Sequence, residues 1–503
     1  MEALDWIVIG VFALALIGII VWVVKQKQND SADYFLGGRD ATWLAIGASI
    51  FASNIGSEHL IGLAGAGASS GMAMAHWEIQ GWMILILGWV FVPFYSRSMV
   101  YTMPEFLERR YNSQSRTILS VISLISYVLT KVAVTVYAGG LVFQQVFGIK
   151  ELWGIDFFWI AAIGLVVLTA LYTIFGGMKS VLYTSVLQTP ILLLGSLIIL
   201  VLGFKELGGW DEMMRICGAV TVNDQGNTMT ELIRSNDDPN FPWLGALIGS
   251  AIIGFWYWCT DQFIVQRVLS GKNQKEARRG TIFGAYLKLL PVFLFLIPGM
   301  IAFALHQKYI GDGGFLPLLA NGTPNADAAF PTLVAKILPA GVKGLVVCGI
   351  LAALMSSLAS LFNSSAMLFT IDFYKRFKPQ TSEKKLVVIG QIATVVIVIL
   401  GILWIPIMRS VGDVLYTYLQ DVQSVLAPGI AAAFLLGICW KRTSAQGGMW
   451  GLIAGMVIGL TRLGAKVYYS NAGEVADSTF KYLFYDMNWL FFCGWMFLFC
   501  IIV

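Results

Sequence analysis

The chain has 503 residues, of which 57% are hydrophobic and only 12% charged, and its mean hydropathy is +0.75. Soluble domains are about half apolar and a quarter charged, so this composition excludes a soluble protein and indicates one that crosses a membrane many times. The net charge of +4 reflects how basic residues are distributed between loops, and it does not indicate nucleic-acid binding.

Apolar windows long enough to cross about 30 Å of hydrocarbon recur along the whole chain. They predict about thirteen spans, each helical because unpaired backbone groups in lipid cost several kcal/mol. The first window has no small-residue cleavage site and is expected to be retained. The predicted spans are 5–24, 42–70, 73–96, 117–147, 157–176, 180–204, 243–268, 280–305, 341–372, 386–408, 412–440, 447–464 and 485–503.

Basic residues favour one orientation of these spans. Lys and Arg are concentrated in loops that a chain with its N-terminus outside would place in the cytoplasm, above all 272–279 (KNQKEARR) and 374–385. The longest loop, 205–242, is comparatively acidic and is expected outside. We therefore expect a multi-pass protein of the cell membrane, inner or plasma, with its N-terminus outside and the lipid bilayer as its surroundings.

No motif for enzymatic chemistry is found. The six cysteines form no Cys-x-x-Cys pair and no Cys/His zinc spacing. The sequence also has no nucleophile–base set and no phosphate-binding loop. We expect a protein that is not an enzyme and has no catalytic residues.

The stretch 53–67, SNIGSEHLIGLAGAG, carries an amide, a carboxylate and an imidazole inside the second predicted span. Polar residues in spans are expensive and usually face a cavity or one another. Small-residue helix packing explains the glycines and alanines, but it does not explain Glu58 and His59. The run around Gly56 is expected to unwind the helix, so that carbonyls such as those of Ala52 and Ile55 can face a cation.

Polar residues fall on a few spans, and their order suggests a repeat. Counted from the second span, five helices are followed by five more, and the first of each half is rich in Gly and polar residues. This pattern predicts an all-α, five-plus-five inverted-repeat transporter core with broken first helices and extra N- and C-terminal helices. The single membrane domain, 1–503, would comprise a leading helix and loop (1–41), a first repeat (42–205), an extracellular loop (206–242), a second repeat (243–440) and C-terminal helices (441–503).

Several long runs resemble the sodium–solute symporter family, specifically its sodium/glucose cotransporter branch. The resemblance extends from about residue 5 to residue 470, and its most specific runs are WYWCTDQ and SSLASLFNS. The matching runs include 33–39, 46–65, 91–111, 170–189, 256–273, 286–301, 356–376 and 418–442.

The resemblance implies a sugar site and a gate. Hydroxyl groups both donate and accept hydrogen bonds, so a carboxylate, amides and an amine suit them. Glu78 and Lys288 could instead form an internal ion pair that pins helices, and Gln420 could join helices. By position, the implied sugar ligands are Asn54, His59, Glu78, Lys288 and Gln420, with Trp258 as a stacking platform, Tyr257 as the inner gate and Tyr416 as a further aromatic above the site.

The resemblance also implies a sodium site. Sodium is a hard cation and prefers oxygen ligands. Residues 353, 356 and 357 would share one helical face. Serines alone are common packing residues, but here they would lie across from a broken helix. The implied ligands are the carbonyls of Ala52, Ile55 and Ala353 and the hydroxyls of Ser356 and Ser357.

Two positions depart from the family pattern. Ser185 stands where many relatives carry an acidic residue linked to a second sodium ion, so one sodium per sugar is expected. Glu58 stands where relatives usually have a small residue, and we hypothesise that it pairs with a cation or makes the cavity more negative.

The resulting expectation is sodium-coupled symport of a monosaccharide of the glucose or galactose type by alternating access. The nearest alternative is the same fold with another solute, such as an inositol, a sialic acid or an amino acid. A transporter-like sensor and a passive channel are the alternatives from other functional classes.

Overall fold

The computed structural model describes residues 1–26, 30–56, 58–319, 321–411, 415–471 and 476–503, without the side chains of 129, 130, 407–411, 415–421, 470 and 471. Within these residues the chain is almost wholly helical. Glu151–Leu152 and Ile155–Asp156 form a short antiparallel hairpin between two helices.

Nine helices of the described part are long and apolar enough to span a membrane, and a bent pair makes a possible tenth. They are Ala3–Val24, Glu58–Ser98, Phe157–Leu207, Trp243–Thr260, Gln274–Lys308, Val342–Phe377, Glu383–Pro406, Val422–Cys439, Ala445–Tyr469 and the pair Thr479–Asp486 with Trp489–Ile502. The other helices of at least six residues are Ser31–Leu36, Trp43–Asn54, Met103–Arg110, Ser113–Ser126, Ala133–Phe147, Trp210–Gly218, Gln262–Leu269 and Ala329–Ile337.

Within the described residues, the thirteen predicted windows fall mostly on helical backbone, but the number of separate helices long and apolar enough to span a membrane is lower. The windows 157–176 and 180–204 correspond to two helical segments of Phe157–Leu207, which meet at a kink at Gly177, where the backbone is not helical and φ is +53°. A Cβ at this position would overlap the carbonyl oxygen of Tyr34, so both the backbone angle and the contact require glycine.

The first helix of each half is broken, as the sequence predicts. Trp43–Asn54 ends at Ile55, whose backbone is extended, and helical structure resumes at Glu58. In the second half, Trp243–Phe255 continues through a π-helical turn and stops at Asp261, which is also extended and caps the next helix. The two interruptions confirm the inverted-repeat expectation.

Packing brings the two halves together at these breaks. The helix Val342–Met367 is buried along most of its length, and it packs against both Phe157–Leu207 and Trp43–Asn54. The serines near its middle therefore face the first broken helix. This arrangement positions the candidate ion ligands.

Candidate substrate and sodium sites

A cavity beside the break in the first broken helix contains most of the predicted sugar-site residues. We call it the polar cavity. It is lined by Asn54, Glu58, His59, Trp77, Glu78, Gln80, Ile253, Tyr257, Trp258, Lys288 and Gln423.

Three of these side chains form a buried charged triad. Lys288 Nζ lies 2.6 Å from Glu78 Oε2 and 2.7 Å from His59 Nε2. His59 Nε2 lies 3.2 Å from Glu78 Oε1. All three are at most 3% exposed, so the ammonium and the carboxylate depend on each other for compensation. The triad joins residues that are distant in the sequence into one polar surface.

The predicted gate residue, Tyr257, contacts the first broken helix directly. The Asn54 amide donates a hydrogen bond to the Tyr257 hydroxyl at 3.0 Å. The ring of Trp258 packs edge-on against Tyr257, with centroids 4.9 Å apart, and Lys288 Nζ lies 5.6 Å from the Trp258 ring. Asn54 Oδ1 and His59 Nδ1 are buried without a hydrogen-bond partner, and both could serve hydroxyl groups of a ligand.

The space among these side chains admits about one water molecule. A monosaccharide therefore requires the lining side chains to separate. Its hydroxyl groups would then replace the contacts that His59, Glu78 and Lys288 make with one another. The polar groups would stay satisfied during that exchange, since a hydroxyl both donates and accepts.

Some residues of the polar cavity were not among the predicted ligands. Gln80, Gln423 and Trp77 line it, and the first two are recognisable in the sequence only as polar residues inside spans. Gln420, a predicted ligand, and Tyr416, a predicted aromatic above the site, lie outside the described side chains. Their roles stay predictions.

The predicted sodium ligands are partly brought together. Ser357 Oγ donates a hydrogen bond to the carbonyl oxygen of Ser53 at 2.7 Å and lies 3.5 Å from that of Ile55. A Cβ at Gly56 would lie 2.8 Å from Ser357 Oγ, so glycine permits this close approach. Ala52 and Ala353 are buried on the same two helices. The oxygen-rich surroundings at the break fit a hard cation.

Ser356 points into a neighbouring serine cluster that sequence reasoning missed. Its hydroxyl lies 3.2 Å from those of Ser53 and Ser185. Ser360 reaches Ser53 at 2.8 Å, and Ser185 reaches Ser49 at 3.4 Å. The spacing of four between 49 and 53, and between 356 and 360, was the available signal, because it puts each pair on one helix face.

A second buried ion pair lies beside the predicted gate residue. Lys131 Nζ is 2.7 Å from Asp261 Oδ2 and 4.6 Å from the centre of the Tyr257 ring. Tyr127 donates a hydrogen bond to the other carboxylate oxygen of Asp261. The pair connects Ser113–Phe147 to the break of the second broken helix. The sequence marked both residues as polar within spans but did not pair them.

A helical membrane bundle with two broken helices beside a polar cavity is the architecture of a secondary transporter built from inverted repeats. The comparison with protein families gives the more specific assignment. The model of the Sodium:solute symporter family matches residues 34–455, and the chain belongs to this family. It is a sodium-coupled solute symporter, with sodium as a co-transported ion, and not an enzyme.

Curated relatives are similar over nearly the whole chain. Sodium/myo-inositol cotransporter 2 of Homo sapiens is 38% identical over 479 residues, covering 92% of this chain and 70% of the relative. Sodium/glucose cotransporter 4 of Danio rerio is 37% identical over 511 residues, covering 98% of this chain and 76% of the relative.

Solved structures support the fold. The substrate-bound, outward-open structure of a Na+-coupled sialic acid symporter has a TM-score of 0.79 at 21% identity, covering 100% of this chain and 96% of the other. MhsT in complex with L-phenylalanine has a TM-score of 0.55 at 13% identity, covering 95% and 99%.

Proposed function

We propose that this symporter carries an uncharged cyclic polyol, with a monosaccharide of the glucose or galactose type as the first candidate. The observation that supports this best is the buried triad of His59, Glu78 and Lys288 beside Asn54. It offers carboxylate, ammonium, imidazole and amide groups at fixed points. Hydroxyls around a ring can satisfy donors and acceptors together, which an apolar or singly charged solute cannot do.

Myo-inositol is the second candidate, because seven of the similar relatives are named as sodium/myo-inositol cotransporters. Inositol and glucose both present a ring of hydroxyl groups. The lining residues therefore favour the class without separating these two members.

An anionic solute fits the cavity less well. A carboxylate of an amino acid or a sialic acid needs a cation that is free to receive it. Lys288 already holds Glu78 at 2.6 Å, and the nearby Lys131 holds Asp261 at 2.7 Å. Binding an anion would leave Glu78 or Asp261 buried and uncompensated, at a cost of several kcal/mol.

The mechanism we infer begins with sodium. An ion between the break and Ser357 draws the carbonyls of the broken helix toward it and fixes Asn54, the next residue along the chain from Ser53. Fixing Asn54 also fixes the hydrogen bond to Tyr257, so the site is preorganised for the ring of hydroxyls. By thermodynamic linkage, the sugar strengthens sodium binding by the same factor. The Tyr257 gate then opens and both solutes leave.

The driving force allows considerable accumulation. One sodium ion at about −100 mV supplies about 2.3 kcal/mol, and a tenfold concentration gradient adds about 1.4 kcal/mol. Together these correspond to a limiting accumulation of some hundreds-fold.

We further propose a stoichiometry of one sodium per sugar. Ser185 contributes a hydroxyl to the serine cluster instead of a carboxylate. The charged group that contacts this cluster is the Arg267 guanidinium, whose Nε lies 3.1 Å from Ser49 Oγ. A positive charge there opposes a second cation. A sodium-dependence of uptake with a Hill coefficient near one is expected, and a coefficient near two would contradict this.

The proposed orientation, with the N-terminus outside, places the acidic loop 205–242 on the extracellular side. Cysteine substitution at Glu231, which is in that loop, and at exposed Lys378 offers a check. In intact cells a membrane-impermeant thiol reagent should label the first and not the second, and the reverse pattern would require the opposite orientation.

The direct test of function is uptake of labelled glucose, galactose and myo-inositol into proteoliposomes with an inward sodium gradient, compared with equal choline. Accumulation above equilibrium only with sodium supports polyol symport, and the preferred solute is identified in the same assay. Equilibration that ignores sodium would mean a passive carrier. Uptake of none of the three would refute the proposed substrate class.

A further inference from the structure

Glu58 occupies a position that the proposed transport cycle has not used. It begins the outer part of the first broken helix and is half-buried. Within the described residues it makes no ion pair and no side-chain hydrogen bond. A carboxylate without a partner in the middle of a membrane domain is costly, so a function for it is expected.

Two cavities meet at this side chain. The first is the polar cavity. The second, which we call the break cavity, extends from the break in the first helix to the gate. It is lined by Ser53, Asn54, Gly56, Glu58, Lys131, Thr135, Tyr257, Phe263, Ser357 and Leu361. Asn54, Glu58 and Tyr257 are the residues common to the two linings.

Of these three shared residues, only Glu58 carries a charge. Asn54 and Tyr257 are bonded to each other, whereas the Glu58 carboxylate is not held by either cavity wall. The break cavity also includes Ser357 and Gly56, the two residues in contact at the candidate sodium site. Glu58 is therefore positioned to act on a sodium ion at the break and on a solute in the polar cavity.

The ammonium groups that line the two cavities each already hold another carboxylate. Lys288 is matched by Glu78, and Lys131 is matched by Asp261. The buried Arg267 lines neither cavity and contacts Ser49 and the Phe263 carbonyl. Among the described residues, Glu58 is thus the charged side chain of the two linings that has no ion-pair contact of its own.

We propose that Glu58 is the carboxylate that couples sodium occupancy to solute affinity. The carboxylate attracts a sodium ion to the break, and the ion balances its charge. With the ion bound, the carboxylate oxygens can accept hydrogen bonds from solute hydroxyls while the charge of the carboxylate stays compensated. This inference depends on the proposed sodium-coupled polyol transport and names the residue that connects its two halves.

The test is a sodium titration of the purified full-length protein in lipid nanodiscs, monitored by tryptophan fluorescence, since Trp77 and Trp258 line the polar cavity. It is repeated with saturating transported polyol. For Glu58→Gln, we expect the sodium concentration at half-saturation to rise at least about tenfold. The shift that the polyol causes in the parent should also shrink. Glu58→Asp, which keeps the charge, should stay within about threefold of the parent.

Two further variants keep the test decisive. Glu58→Ala removes atoms only from a cavity wall, and it should reproduce the effect of Glu58→Gln if the latter does not fold. Glu212→Gln removes an exposed carboxylate of the outer loop that pairs with Arg215, and it should titrate like the parent.

The inference is overturned if both neutral variants titrate like the parent with and without polyol. It is also overturned if Glu58→Asp loses as much sodium affinity as Glu58→Gln, because the side-chain shape and not the charge would then matter. A parent protein that responds to sodium but not to any polyol would refute the proposed substrate class, whatever the Glu58 variants do.

Discussion

The ion pair between Glu78 and Lys288 allows structural support to be separated from substrate binding. Lys288 Nζ and Glu78 Oε2 are 2.6 Å apart, and their side chains are only 4% and 3% exposed. In Lys288→Met the carboxylate stays buried with His59 alone as its neighbour. Loss of one partner of such a pair costs about 3–5 kcal/mol, so this variant should be clearly destabilised as well as inactive.

The double variant Glu78→Gln/Lys288→Met removes both charges. A neutral replacement of similar volume is often tolerated, so most of the lost stability should return. Under the proposed function uptake should not return, because the variant lacks the carboxylate and the ammonium proposed to bind the solute. The surface pair of Lys272 and Asp40, 3.8 Å apart and more than half exposed, provides the control: Lys272→Met should change the free energy of unfolding by less than about 1 kcal/mol.

The assay combines melting with transport. Cys259, Cys348 and Cys493 are buried, so a thiol-reactive dye reports unfolding in detergent. Sodium-driven uptake is measured for the same preparations in proteoliposomes. If the double variant regained both the parent melting temperature and the parent uptake, the pair would be purely structural and would not contact the solute. If Lys288→Met melted like the parent, the pair would not carry the cost assigned to it.

Two other changes have defined outcomes. In Gly56→Ala the new Cβ would lie 2.8 Å from Ser357 Oγ, and moving this hydroxyl away would break a buried hydrogen bond worth about 1–3 kcal/mol. The sodium concentration at half-saturation should therefore rise about tenfold or more. Gly164→Ala is the control, because its Cβ would meet open space, and it should have no effect. Burial raises the pKa of Asp327 to about 6, so the folded state binds this proton more tightly than the unfolded chain, and the parent should gain stability as the pH falls from about 7 to about 4. Near pH 7.5 the free energy of unfolding of Asp327→Asn should exceed that of the parent by at most about 3 kcal/mol, and this difference should shrink toward pH 4. A difference that is independent of pH would contradict the assignment.

The sequence predicted the positions of the helices well because an apolar run must be long enough to cross the bilayer, and such runs are visible in the sequence. It predicted the break at Ile55 because Asn54 and Gly56 are poor helix residues in an otherwise apolar run. It also predicted the boundary between the spans 157–176 and 180–204, where the backbone of Gly177 interrupts the helical structure.

The site was predicted less completely, for a different physical reason. His59, Glu78 and Lys288 were identified through resemblance, and their contacts appear only when three helices pack together. Lys131 and Asp261 are 130 positions apart in the chain, and no periodicity relates such residues. Serine clusters are equally hard to see, since serine is common in membrane helices for packing alone.

Coupling between the two solutes follows from how little backbone separates their contacts. Ser53 and Ile55 present carbonyl oxygens to Ser357, while Asn54, between them, donates to Tyr257 at the gate. A ligand that fixes the carbonyls of two residues also restricts the side chain of the residue between them. In the proposed mechanism, the entropy of ordering the chain at the break, where Ile55 is extended, is lost once, by whichever solute binds first, and the second solute binds without losing it again. A continuous helix at these positions would already be ordered, so binding of the first solute could not reduce the entropy cost of binding the second. We therefore attribute the coupling to the break.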